Sequence, residues 1–394
     1  LRVFLTFLSA YILSQFYRSF LAVIAPELAR ELALDPQALG NLQALWIAGF
    51  VAMQFPVGFA LDRFGPRRTV SLIMLAAVAG AILFAKAETA FALNLSMVLI
   101  GVGCSAIYMG GIFVFGRMNR PEHFALLCSL LLGVGSAGNL LAATPLAYAA
   151  ETIGWRGAML GMAGLTVLSA LATFLLIRDP PRLTHAAGST FVSGVRTILS
   201  IRALWPLLPL TAVGYAIVLA ERGLWAGPYF SSVHGLDAIQ RGNALLIMAA
   251  AMSAGAILYA PLDRWLGTRK WIVVTGSALT ALCLLALALL NPSTPMAILV
   301  MAALGGFGMT YGVLMAHGRS FIPDALLGRG ITMLNILFIG GAGVLQPISG
   351  AAMKAMSALP PAEAYAHLHL AFALALIAAL AVYLLSHERQ AAKQ

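Results

Sequence analysis

Apolar runs long enough to cross a lipid bilayer recur twelve times along this chain of 394 residues. A crossing helix needs about 20 mostly apolar residues. The candidates cover residues 3–25, 38–61, 69–87, 92–116, 123–149, 156–177, 204–229, 242–262, 271–291, 295–317, 330–352 and 366–386, numbered here as spans 1 to 12. In hydrocarbon every backbone polar group must find a partner within the protein, and runs of this length point to helices rather than barrel strands. The expected fold class is therefore an all-α integral membrane protein. Composition agrees: 61% of residues are hydrophobic and 10% charged, against about 25% charged in a soluble domain. Very short connections join spans 3 and 4, 5 and 6, and 9 and 10, so each of these pairs is expected to form an antiparallel hairpin. The first run is followed at once by further spans, which reads as a crossing helix rather than a cleavable signal.

The net charge of +10 raises the question of a nucleic-acid partner. The basic residues form no stripe or aromatic-interleaved patch. They recur in short clusters between the apolar runs. With the N-terminus inside, seventeen Lys and Arg residues fall on the cytoplasmic side and five (Arg30, Lys86, Arg156, Arg241 and Lys354) on the other, leaving Arg18 and Arg222 within the membrane. This bias predicts cytoplasmic termini, in a membrane such as the bacterial inner membrane. Cys104, Cys128 and Cys283 all lie in apolar runs and read as packing. No His/Cys cluster has metal-ligand spacing, and the chain shows no phosphate loop or catalytic triad, so neither an enzyme nor a resident cofactor or metal is expected.

The longest polar stretch, residues 178–203, contains Pro180, Pro181 and His185. It reads as a cytoplasmic linker, with residues 190–203 able to lie on the membrane surface as an amphipathic helix. It divides a six-span bundle over residues 1–177 from another over 204–394. The two echo each other. Asp62-Arg63-Phe64-Gly65-Pro66-Arg67-Arg68 follows span 2, and Asp263-Arg264-Trp265-Leu266-Gly267-Thr268-Arg269-Lys270 follows span 8. The aspartates are 201 residues apart, and Pro145 of span 5 and Pro347 of span 11 are 202 apart. Parallel six-helix repeats are a recognised transporter plan, with the substrate site near mid-membrane.

The Asp62–Arg68 loop resembles the signature loop between helices 2 and 3 of the major facilitator superfamily, and the likeness in span count, linker and second-half copy covers essentially the whole chain. The resemblance implies two pseudo-symmetric six-helix bundles and alternating access. It also implies a conformational latch built on Asp62, Arg63, Arg67 and Arg68, with Arg117 or Arg120 as partner, and on Asp263, Arg264 and Arg269 in the second half. An acid near a helix N-terminus or a cation gains from both.

An ionisable group in mid-membrane is costly and points to function. Arg18 of span 1 and Glu221 with Arg222 of span 7 qualify, in corresponding spans of the two halves. Two guanidiniums facing one cavity would hold a carboxylate through bidentate hydrogen bonds. Span 1, Tyr17-Arg18-Ser19-Phe20-Leu21-Ala22-Val23-Ile24-Ala25-Pro26, is similar to that of anion:cation symporters, whose arginine contacts the substrate carboxylate. This chain has Tyr17 where that branch carries an acid, and no acid in span 4. Glu221 is then the membrane carboxylate left to carry a proton. Gln15, Tyr17, Asn139, Trp225, Tyr311 and Gln346 complete the candidate lining. The expectation is a monomeric secondary transporter of a small organic anion, driven by protons or another coupling ion. An efflux carrier for amphipathic compounds is the alternative.

Overall fold

The computed structural model describes residues 2–118, 127, 130–131, 133–179, 200–322 and 327–388. The assigned secondary structure is helical throughout these residues. Nine helices are long and apolar enough to cross a membrane, ten when the bent pair Arg2–Ser19 and Leu21–Leu32 counts as one. Two further crossings of the expected twelve are accounted for by breaks. Span 2 is interrupted at Met53, between Pro36–Ala52 and Gln54–Phe64, and each piece alone is short. Spans 5 and 6 run together as Gly133–Leu176, 44 residues. At 1.5 Å per residue that is about twice the hydrocarbon thickness. Gly154, with φ 75° and ψ 155°, breaks the helix there, a conformation open to glycine because it lacks a Cβ. The linker expectation at residues 180–199, including its amphipathic segment, lies outside the described residues.

The sequence repeat extends into the local structure. Asp35 and Asp237, 202 residues apart, begin spans 2 and 8 as equivalent N-caps. The Asp35 carboxylate accepts from the Ala38 amide at 2.8 Å. That of Asp237 accepts from the Gln240 amide at 2.7 Å, while Gln240 reaches back to the Asp237 amide at 3.2 Å. Such reciprocal caps satisfy amides that the helix itself leaves open.

A second pair of equivalents lies at helix crossings. A Cβ on Gly138 of span 5 would fall 2.0 Å from the Ile12 carbonyl oxygen of span 1, and one on Gly341 of span 11 would fall 1.9 Å from that of Ala212 in span 7. Spans 1 and 5, and 7 and 11, therefore touch backbone to backbone, the close approach that small residues permit in membranes.

A third pair closes each half. The Asp179 carboxylate, just past span 6, accepts from the Arg67 amide at the start of span 3 at 2.8 Å, and the Arg67 side chain donates to the Phe174 carbonyl at 2.6 Å. The Glu388 carboxylate, just past span 12, accepts from the Arg269 amide at 2.7 Å and the Thr268 hydroxyl at 2.7 Å at the start of span 9, while Lys270 Nζ donates to the carbonyls of Leu384 and Ser386. Partial burial pushes the Glu388 carboxyl up, but hydrogen bonds from Thr268, Arg269 and Lys270 outweigh it and hold the group below the ordinary carboxylate range. A group depressed in this way adds stability above that range, which is lost as pH falls through the lowered value.

The chain forms two compact units that do not follow chain order. One comprises Leu1–Thr184 with Gly223–Ser231 and Gly235–Leu246, and the other His185–Arg222, Ser232–His234 and Ile247–Gln394. The first is centred on Phe7, Tyr11, Met74, Ile107 and Phe115. In the second, span 12 turns a stripe of Leu368, His369, Phe372, Ala373 and Leu376 inward, packed on spans 7 and 9.

Gly341→Val tests the crossings. The neighbour is backbone and cannot turn aside, so overpacking should cost about 1–3 kcal/mol. A lower melting temperature of the purified protein, with Gly340→Val (open on that side) close to wild type, is the expected result.

Candidate functional site

Three groups of polar residues interrupt the apolar interior. The first surrounds Arg18. Span 1 bends by 46° between Ser19 and Leu21, and Arg18 sits at the last turn before the bend. Gln43 of span 2 donates to the Arg18 carbonyl at 3.1 Å. The guanidinium is partly buried and lies 5.5 Å from the Trp46 ring and 5.6 Å from that of Phe50. Its Nε donates no hydrogen bond, and no carboxylate pairs with it, among the described residues. Trp46 and Phe50 are themselves stacked, 5.4 Å apart at 12°. The result is a cation held by ring faces with its polar edge left to bond.

The neighbouring candidates are engaged elsewhere. Tyr17 is buried, its hydroxyl 3.0 Å from that of Thr166 in span 6. Gln15 donates to the Tyr11 hydroxyl at 3.0 Å, and its amide oxygen has no hydrogen-bond partner among the described residues. Asn139 accepts from Ser19 at 2.7 Å, which ties span 5 to the bend beside Arg18.

The second group is centred on span 7. Span 7 begins as a 3-10 turn at Arg202–Leu207, continues as helix Leu208–Ala220, widens into a π-helical turn over Glu221–Trp225 and resumes over Ala226–Ser232. Such a bulge is frequent at functional sites. Glu221 is fully buried and Arg222 is 2% exposed. His369 of span 12, also fully buried, brings its Nε2 to 3.5 Å from Glu221 Oε1. Trp225, buried, closes the turn. Tyr311 stands on Phe338, ring centroids 4.4 Å apart, with Tyr215 5.4 Å from Tyr311. Gln346 is 1% exposed, and neither atom of its amide has a hydrogen-bond partner among the described residues.

The third group, in the first unit, was not singled out in the sequence. Arg241, 3% exposed, pairs with Glu27 and reaches the Val23 carbonyl at 3.4 Å. Arg156 pairs with Glu31, whose other oxygen accepts from Trp155 at 2.6 Å. Glu27, Arg30, Glu151, Asp237 and Arg241 line an open cavity of about 670 Å³. The matched caps Asp35 and Asp237 place Arg241 one turn into span 8. Nothing in the spacing says that this turn meets the last turns of span 1.

Of the latch residues, the side chains of Asp62, Arg117, Asp263 and Arg264 lie outside those described, as does Arg120. Arg63 is exposed between the Phe59 and Phe64 rings, at 5.9 and 5.5 Å, and Arg68 is exposed. Arg67 and Arg269 begin the spans that Asp179 and Glu388 cap.

A bent first span and a π-helical turn in the seventh, each with a charged residue at the break, suit a carrier rather than a static scaffold. The family comparison agrees. The model for the Major Facilitator Superfamily matches residues 7–347, and the chain belongs to that family. It is 27% identical over 353 residues to monocarboxylate transporter 11 of Mus musculus, covering 84% of this chain and 76% of that one. To the nitrate/nitrite transporter NrtP of Nostoc punctiforme it is 24% identical over 199 residues, 48% of this chain and 39% of that one. The chain spans about half the length of the curated relatives it matches, 57% and 39% for two of them. Its fold is similar to the crystal structure of a bacterial homolog of the human lysosomal transporter Spinster, with TM-score 0.82 and 19% identity over 98% of this chain and 96% of that one.

Removing one partner of a buried ion pair costs about 3–5 kcal/mol, whereas an exposed pair contributes about 0–1 kcal/mol. Arg30 also pairs with Glu27 but is largely exposed. Arg241→Gln should therefore lower the melting temperature by many degrees and Arg30→Gln hardly at all, read by thermal unfolding of the purified variants.

Proposed function

We propose that the chain is a secondary active transporter that moves a small organic anion, a carboxylate, by alternating access coupled to protons. The observation that carries this reading is Arg18: a guanidinium within the membrane, at a bend, faced by rings and paired with no carboxylate among the described residues. Such a charge is costly in lipid, and the ligand that relieves the cost is an anion. A carboxylate fits the planar guanidinium fork through two parallel hydrogen bonds. The names of two relatives, one a nitrate/nitrite and one a monocarboxylate transporter, support an anionic cargo. Glu221, with Arg222 beside it, is the group assigned to the proton.

The distribution of lysine and arginine supports a cytoplasmic-membrane protein with both termini inside. The loops at Asp62–Arg68 and Asp263–Arg269 are assigned to holding the conformational states apart. The protein is taken to work as a monomer.

A thermal-shift panel of mono- and dicarboxylates, nitrate and uncharged amphipaths on the purified protein comes first, followed by uptake of any stabilising compound into proteoliposomes. A carboxylate should raise the melting temperature of wild type but not of Arg18→Ala. Losing a charged hydrogen-bonded contact of about 2 kcal/mol or more corresponds to about 30-fold weaker uptake. Stabilisation by uncharged amphipaths alone, unchanged in Arg18→Ala, would overturn the reading in favour of an efflux carrier.

A further inference from the structure

We infer that Glu221 does not carry the coupling proton alone: Glu221 and His369 form one proton-binding site that joins span 7 to span 12. The inference rests on the assignment of Glu221 to proton coupling and adds a second base from the last span of the chain.

Both residues are fully buried, and His369 Nε2 faces Glu221 Oε1 at 3.5 Å. Neither carboxylate oxygen of Glu221 accepts a hydrogen bond among the described residues. A bare carboxylate in so dry a place is costly, and it is relieved either by a proton of its own or by a cation beside it. A protonated imidazole at 3.5 Å is such a cation, so one proton serves either base. Arg222 follows Glu221 in the π-helical turn, and Tyr365, hydrogen-bonded to Ser232, lies one turn before His369 on the same face of span 12 and feels the Glu221 charge.

The charges show what the pair can do. With the proton absent, Arg222 and the Glu221 carboxylate cancel and His369 is neutral. With the proton present, on either base, the cluster gains one positive charge. Two bases sharing one proton titrate as a unit, so replacing one changes the midpoint of the other. The π-helical turn is where Glu221 leaves regular helix, and the inward stripe of span 12 is what aims His369 at it.

The test needs no substrate. Infrared difference spectra of the full-length protein in nanodiscs, recorded from pH 5 to pH 9, report the carboxylic-acid stretch of a buried glutamic acid and, with 13C-histidine, the imidazole bands. In wild type both sets of bands should change with one midpoint. In Glu221→Gln the carboxyl band should vanish. In His369→Gln the imidazole bands should vanish and the midpoint of the carboxyl band should shift, with His369→Asn behaving alike. An unchanged midpoint in His369→Gln with the carboxyl band still lost in Glu221→Gln overturns the shared site and leaves Glu221 standing alone. A carboxyl band that survives in Glu221→Gln overturns the assignment of Glu221 itself. Should neither histidine variant fold, labelled wild type decides: imidazole bands that do not move with the carboxyl midpoint overturn the proposal.

Discussion

Lipid gives a backbone carbonyl or amide nothing to bond with, so a transmembrane helix that stops being regular must be compensated by the protein around it. Two of the places where this chain departs from regular helix carry its membrane charges. Span 1 bends directly after Arg18, whose carbonyl is met by Gln43. Span 7 widens into a π-helical turn at Glu221 and Arg222. A break lets a side chain leave the helical register.

The repeat sets where these irregularities can occur. Caps at Asp35 and Asp237, backbone crossings at Gly138 and Gly341, and closing carboxylates at Asp179 and Glu388 are the same three solutions used twice. Within that common frame the chemistry of the halves differs. The first offers a guanidinium against two rings, the second a carboxylate, a guanidinium and an imidazole. Binding of an anion and handling of a proton are thus assigned to different halves of a duplicated scaffold.

Much of the fold was legible in the sequence because hydropathy and a loop motif are one-dimensional signals. The twelve runs and the repeat follow from residue order alone, and so does the family. Arg18, Glu221 and Arg222 stood out because a charge within an apolar run is conspicuous. Contacts between distant spans were not legible. Trp46 and Phe50 read as ordinary apolar residues until span 2 is laid against the bend. His369 falls at the start of an apolar run, where only the three-and-four spacing with Leu368, Phe372 and Leu376 hints that it turns inward. Glu27 and Arg241, 214 residues apart, carry no shared local pattern. The hydrogen bond from Tyr17 to Thr166 likewise joins two spans that no local pattern connects.

The closing carboxylates bear on how the chain is made. Asp179 ties back to Arg67 across 112 residues, and Glu388 to Arg269 across 119. Each half therefore completes its own longest loop with its own residues, and a ribosome delivering the chain from its N-terminus has released every part of the first closure before span 7 begins. The segments Gly223–Ser231 and Gly235–Leu246, which join the first unit from the second half of the chain, arrive afterwards. The first unit therefore cannot be complete until the second half of the chain has been made, and Arg241 can meet Glu27 only after both have been inserted.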